Sequence, residues 1–482
     1  MALVNSDCRQ LARSWQFRTV TLDNDHADAA VGILKLLLRE ALERLRFGRT
    51  FRPSLGVCVR RMKVNLPDMN YLLWGLYPHD DVNFAPIAKF CPNLPDIHFI
   101  ASTLPQLESL DLGLEMVEKS SLDNLLASTS IRHLRLLGGV RKLPFPLKHR
   151  IKDIMWRPTE LVLWKNSHNR EFSKPGAWQD FLSTCASTLE SLKLGDMDGI
   201  HYFGSERVSL DLDFPSLRFL NISCLSLDVS ALRSLIASSK VLSTLVVTYS
   251  DPVIVNFLNS YGHMQSLKAL ILKDVRSPDA MPLKFLWRNR HINGFALEQA
   301  QPPKPLTAIL LMLATIPNLR VLSITWDGSD VKRPHYAMMS NFKSLESLHF
   351  TDARMDMLDS GWLISHDLML SVLSPLKTLK NLYFTNDSYC EVHAVESDYW
   401  TNINERLHRI RMIRHIGSYV AALPQLEYIY VGQLSLNIDT TVRTTFERGS
   451  QNDILGLATK LHGRERISGE YALFGDYDAH WY

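Results

Sequence analysis

The groups in this 482-residue chain whose types and spacing bear on chemistry are two carboxylate pairs, Asp80 with Asp81 and Glu115 with Glu118, and one histidine pair, His408 with His415. Paired carboxylates can divide general-acid and general-base work, and two histidines seven residues apart share a helix face. Neither pattern goes further. Carboxylates of this kind are mostly solvated, and the two histidines read as ordinary surface residues. The chain has no G-x-x-x-x-G-K-[ST], no G-x-G-x-x-G after a strand, no H-E-x-x-H and no G-x-S-x-G. Nothing here names a catalytic residue, a metal ligand or a cofactor contact, and the chain reads as a binding protein rather than an enzyme.

Binding needs a surface, and the elements that would build one recur along the chain. In Leu217 to Ile222 (Leu-Arg-Phe-Leu-Asn-Ile) apolar residues stand at positions 1, 4 and 6. The same spacing appears at Leu107/Leu110/Leu112, Ile131/Leu134/Leu136, Leu189/Leu192/Leu194, Leu242/Leu245/Val247 and Leu267/Leu270/Leu272. It continues at Ile292, Leu319, Leu345, Leu379 and Leu426, and weaker copies begin at Val59 and Leu94. Pro158 to Leu163 is a copy whose leading Leu is replaced by Pro. Leading residues 217, 242, 267 and 292 are each 25 apart, within the roughly 20 to 29 residues of one strand plus one outer segment. So short a strand cannot bury its own apolar side, so the copies must stack. This is the pattern of a leucine-rich repeat, and the expected fold class is an α/β leucine-rich-repeat solenoid: a curved parallel sheet with outer helices and a small helical N-terminal cap.

In such a strand the second and third apolar residues point to the core, and the residues between and beside them point outward onto the concave face. A protein substrate is expected to bind there, against Arg135, Trp164, Lys193, Phe219, Trp326, His349, Tyr383, Tyr428 and Tyr430. The aromatics toward the C-terminal end are the expected anchors, since Trp and Tyr are enriched at binding hot spots. By the same register Leu220 and Leu245 are expected to be buried, and Asn221 and Val246 to be exposed.

Composition agrees with a soluble globular class: 46% hydrophobic, 21% charged and a net charge of +3. That balance gives no reason to expect nucleic acid or a membrane as partner. The six cysteines, Cys8, Cys58, Cys91, Cys185, Cys224 and Cys390, include no C-x-x-C pair and read as reduced thiols of a cytoplasmic or nuclear protein. The longest apolar run, Leu306 to Ile316, is far short of the ~20 residues that span a bilayer and reads as an outer helix entered through Pro302, Pro303 and Pro305. The expected species is a monomer without a cofactor.

The first 22 residues place a helix at Leu3 to Leu11 ahead of a short strand at Phe17 to Leu22. Leu3, Val4, Cys8, Arg9, Leu11, Ala12, Phe17, Arg18, Val20 and Leu22 resemble the last third of an F-box, and with the repeats behind them the chain resembles the F-box and leucine-rich-repeat proteins abundant in filamentous fungi. The resemblance implies a substrate receptor of a cullin-type ubiquitin ligase, with Leu3, Val4, Cys8 and Leu11 as what remains of the adaptor-binding surface; the alternative is a leucine-rich-repeat scaffold unconnected with ubiquitin. The opening Leu-Pro-x-Glu motif and first helix of that family do not precede Met1. A remnant of about 22 residues falls short of the roughly 800 Å² per partner of a stable interface, so weak adaptor binding is expected.

The domain reading is then a partial F-box at 1–22, a capping helix and linker at 23–56, the solenoid at 57–440 and a cap or tail at 441–482. Residues 30–47 combine helix formers with leucines at helical spacing and stop at Gly48. A helical insert is expected near 398–423, its basic face of Arg406, His408, Arg409, Arg411, Arg414 and His415 read as solvated.

Overall fold

The computed structural model describes residues 15–23, 27–48, 54–65, 100–101, 103–112, 131–136, 158–165, 182–196, 212–223, 229–248, 252–273, 282–298, 303–326, 333–352, 361–362, 366–385, 389–390, 414–431, 434–438 and 458–460. They fall into two compact units, Met1–Leu242 and Ser243–Tyr482.

Seven strands make the sheet of the first unit: β1 (Thr19–Asp23), β2 (Arg61–Asn65), β3 (Ser109–Leu112), β4 (His133–Leu136), β5 (Glu160–Lys165), β6 (Ser191–Asp196) and β7 (Phe219–Ser223). Each pairs in parallel with the next in sequence order. The register sets Val20, Met62, Leu110, Leu134, Leu161, Leu192 and Leu220 side by side, and all seven are buried. One carbonyl per repeat enforces this register. Arg18 C=O accepts the N–H groups of Arg60 and Arg61, each at 2.9 Å, and Arg60 C=O accepts those of Glu108 and Ser109 at 2.8 and 3.0 Å. The same double acceptance recurs at Glu108, Arg132, Thr159 and Glu190. The parallel stack of in-register repeats is the α/β leucine-rich-repeat solenoid that the period implies.

The sheet begins at Thr19, upstream of the start at residue 57 that the repeat pattern suggests, because the Phe17–Leu22 strand joins it as β1. Helix α1 (Ala27–Phe47) therefore lies in the crossover between β1 and β2, as an outer helix rather than a cap over an open end. Its buried residues Ala30, Leu34, Leu37 and Ala41 follow the 4-3-4 spacing of one helix face. Gly48 ends it at φ 68°, the left-handed conformation that favours glycine, with its N–H donated to Arg44 C=O at 2.9 Å. The buried Glu40 carboxylate then holds the next segment, accepting from Leu55 N at 2.7 Å, Gly56 N at 2.9 Å and Ser54 Oγ at 2.7 Å. Arg44 donates to Glu40 at 3.3 Å and to Thr103 C=O at 2.9 Å.

The repeat expected at Leu94/Ile97/Phe99 lies outside the described residues. Helix α2 (Val229–Ser238) follows β7 and buries Ala231, Leu232, Leu235 and Ile236.

The second unit repeats the plan of parallel strands with helices in the crossovers. Strands β8 (Thr244–Thr248), β9 (Ala269–Lys273), β10 (Gly294–Leu297), β11 (Val321–Trp326) and β12 (Ser347–Asp352) pair in parallel, in order. A short antiparallel pair, β13 (Gly361–Trp362) with β15 (Tyr389–Cys390), stands apart from the sheet, and β14 (Asn381–Thr385) pairs with β12. β16 (Tyr428–Val431) pairs in parallel with β14. β17 (Leu434–Ile438) and β18 (Ala458–Lys460) then add antiparallel, so the sheet ends in a meander. Antiparallel addition covers an edge that would otherwise present unpaired N–H and C=O groups.

Helices α3 (Pro252–Ser260), α4 (Leu283–Arg288), α5 (Pro303–Ala314), α6 (Arg333–Met339) and α7 (His366–Leu373) pack successively on one another. Pro303 opens α5, where a missing N–H costs nothing. Asn289, fully buried after α4, ties two repeats together by accepting from Met264 N at 2.7 Å and donating to Phe285 C=O at 2.9 Å. Of the expected insert 398–423, residues 414–422 are helical and the stretch before 414 lies outside the described residues. Tyr419 in that helix packs on Phe384 and His366, with ring centroids 5.5 and 5.8 Å away.

Candidate functional site

With the inward columns occupied by the core, the positions either side of each aligned inward residue alternate to the other face of the sheet. In the first unit they carry charge. Lys63 on β2, Asp111 on β3, Arg135 on β4 and Lys193 on β6 share one register column, and Glu160 on β5 stands in the column beside it. Parallel strands about 4.8 Å apart bring such side chains within ion-pair distance.

Arg135 bridges the two carboxylates, with Nε 3.6 Å from Asp111 Oδ1 and Nη2 3.4 Å from Glu160 Oε1. Lys193 Nζ lies 3.8 Å from Glu160 Oε1, and His133 Nδ1 lies 3.2 Å from Glu160 Oε2. Lys193 also sits over the Phe219 ring, 5.3 Å from its centroid, in a cation–π contact. The cluster is partly desolvated: the Lys193 side chain is 14% exposed and that of Glu160 21%.

That environment splits the two acids. Burial works to raise the Glu160 pKa, but the hydrogen bond with His133 and the charges of Arg135 and Lys193 outweigh it and bring it down to about 2. At Asp111 burial wins over Arg135 and Lys63, and the pKa lies above the ordinary carboxylate value. Geometry explains the difference, since Asp111 Oδ1 has no hydrogen-bond partner whereas Glu160 receives donors on both oxygens.

The matching columns of the second unit contain no Asp, Glu, Lys or Arg. Val246, Ile271 and Ala296 run across β8, β9 and β10, flanked by Thr244, Ala269 and Gly294, and all six are buried. Val246 and Ile271 are 0% exposed although both point away from the core columns. An apolar strip of this kind is stable only when shut from water, so orientation and exposure part company here. Leu220 and Leu245 are buried as the register requires, whereas Asn221 at 3% and Val246 are not exposed as expected.

The residues expected to bind a partner are therefore unequal. Arg135, Lys193 and Phe219 are brought together, half-buried, on the first unit. Trp164 and Trp326 are strand residues whose side chains lie outside the described set. His349, Tyr383, Tyr428 and Tyr430 adjoin one another on β12, β14 and β16. Tyr383, expected to stand open, is only 7% exposed, enclosed by Tyr428 at 4.9 Å and His349 at 5.8 Å between centroids. Burial raises its phenol pKa. Leu3, Val4, Cys8 and Leu11 lie outside the described residues. Glu160, Lys63 and His133 join the expected residues on this face. Their signal was present in the sequence, as the positions flanking the middle leucine of each repeat.

Among the described residues no group of three His, Cys, Asp or Glu is placed to hold a metal ion, and no helix is long and apolar enough to cross a membrane. Cys58 and Cys185 are free thiols, and burial raises Cys185 to about 12.

No family model and no curated protein matches this sequence. Among solved structures, one of TLR13 in a complex with ssRNA13 matches at 14% identity and a TM-score of 0.35, over 61% of this chain and 44% of that one. Internalin C2 of Listeria monocytogenes matches at 14% identity and 0.19, over 57% and 78%. A leucine-rich-repeat protein of Leptospira interrogans matches at 14% identity and 0.25, over 80% and 81%. Likeness of this degree says nothing of ligand or activity, and the fold rests on the register of this chain's own strands.

Proposed function

We propose that this chain is a protein-interaction module whose outward sheet face on the first unit, centred on Arg135, Glu160 and Lys193, holds a protein partner. The observation that supports it is the partly desolvated ion cluster, which spans strands β2 to β6 and has donors and acceptors already positioned. Charged groups held side by side on one face give the electrostatic complementarity that selects a partner, in addition to what the cluster contributes to the fold. In its finer form the reading is a substrate receptor of a cullin-type ubiquitin ligase in the cytoplasm or nucleus, supported by the F-box resemblance at Leu3 to Leu22. Affinity purification of the full chain with mass spectrometry tests both levels. Cullin and adaptor subunits beside a partner support the finer reading. A partner without them leaves a scaffold unconnected with ubiquitin, and recovery of a partner that the Arg135→Ala variant retains equally well refutes the assignment of the face.

A further inference from the structure

Resting on that assignment of the face, the chemistry of its partner can be taken further. The fourteen outward positions that flank the aligned inward residues of β1 to β7 include Arg61, Lys63, Asp111, Arg135, Glu160 and Lys193. Four cations against two carboxylates leave a net charge of +2 on these positions, where the whole chain of 482 residues carries +3. The signs alternate across five consecutive strands, Lys63 on β2, Asp111 on β3, Arg135 on β4, Glu160 on β5 and Lys193 on β6, so that both ends of the band are cationic. Each carboxylate lies between two cations: Asp111 feels Lys63 and Arg135, and Glu160 lies between Arg135 and Lys193. A segment laid across the strands thus meets a field that its own negative charge would balance. A basic segment would meet three cations of the same sign. The corresponding positions of the second unit have no charge with which to compete.

We infer that this band binds an extended acidic peptide segment of a protein partner, its Asp or Glu carboxylates set against Lys63, Arg135 and Lys193. Complementary charge of this kind selects partners and raises association rates, and the effect falls with ionic strength.

Selection from a random peptide library displayed on phage, with the full chain immobilised, tests this directly. The expected result is enrichment of Asp and Glu over Lys and Arg in the recovered peptides. Measured by fluorescence anisotropy, a selected peptide should lose at least tenfold in affinity when its Glu and Asp are changed to Gln and Asn, and a similar factor against the Lys63→Glu/Lys193→Glu variant. The peptide exchange needs no altered protein, so it decides the matter even if that variant folds poorly. Recovered peptides that are neutral or basic, or acidic peptides indifferent to both changes, overturn the acidic assignment while leaving the face as a binding surface. No enrichment of any peptide overturns the underlying reading as well.

Discussion

Arg135 on β4 and Glu160 on β5 stand 3.4 Å apart on neighbouring strands, and Glu160 is shared with His133 at 3.2 Å and Lys193 at 3.8 Å. One carboxylate thus organises three donors on the outward face of the first unit.

Its ionisation is linked to stability. The folded-state pKa of Glu160 is lowered from 4.5 to about 2, so its contribution is complete above pH 4.5 and is lost as pH falls from there toward 2. Asp111 has the opposite sign, since its raised pKa means that acid relieves a penalty. Glu160→Gln should therefore cost about 1 to 2 kcal/mol at pH 7, after discount for partial solvation, and almost nothing near pH 2. Urea unfolding of the two proteins across that range measures the difference. A gap that does not close in acid would show that Glu160 is not held by its neighbours' charge.

Glu40 makes a second prediction. Its carboxylate accepts both Leu55 N and Gly56 N in a buried setting. Glu40→Ala leaves those donors unsatisfied and should cost about 2 to 4 kcal/mol. Hydrogen exchange of the two amides should accelerate in the variant. Unchanged protection would mean that the segment after α1 is held by other contacts.

The closed strip of the second unit is tested by charge. Ile271→Asp places an uncompensated carboxylate where nothing is exposed, and should cost about 3 to 5 kcal/mol. Thr21→Asp, at the equivalent outward position of β1 but exposed, should stay within about 0.5 kcal/mol. Chemical denaturation reads both. Equal tolerance would mean that the strip is open to water.

Tyr383 and Tyr430 share a column on β14 and β16, but only Tyr383 is enclosed. Tyr383→Ala should lower stability by about 3 to 5 kcal/mol, as truncation of a buried aromatic does, whereas Tyr430→Ala should cost under about 1. Thermal unfolding distinguishes them. Similar midpoints for both variants would return Tyr383 to the open surface.

The inward columns were legible from spacing alone, because Leu192, Leu220, Leu245 and Leu270 recur at positions that stacking must bury. What spacing cannot show is what lies over the other side. Val246 and Ile271 face outward by register and are buried by tertiary context, and Tyr383 is enclosed by Tyr428 and His349 from flanking strands. Residue types assign Thr19–Leu22 to the segment that resembles an F-box, outside the repeats; pairing with β2 makes Thr19–Asp23 a rung of the sheet. Helices α3, α4 and α6 are six to nine residues long, too short for periodicity to stand out. The ion cluster was half visible, since Arg135 and Lys193 lie in the column read first and Glu160 in the column beside it.

The most direct measurement of the account is site-specific photocrosslinking in cells, with a benzophenone side chain at Lys63 on the outward face of the first unit or at Leu311, 53% exposed on α5 of the second. Crosslinked partner protein is predicted from position 63 and not from position 311, with the adduct abolished when Lys193→Glu is added. Adducts from Leu311 alone, or adducts at position 63 that Lys193→Glu leaves intact, would contradict the assignment of binding to the charged face.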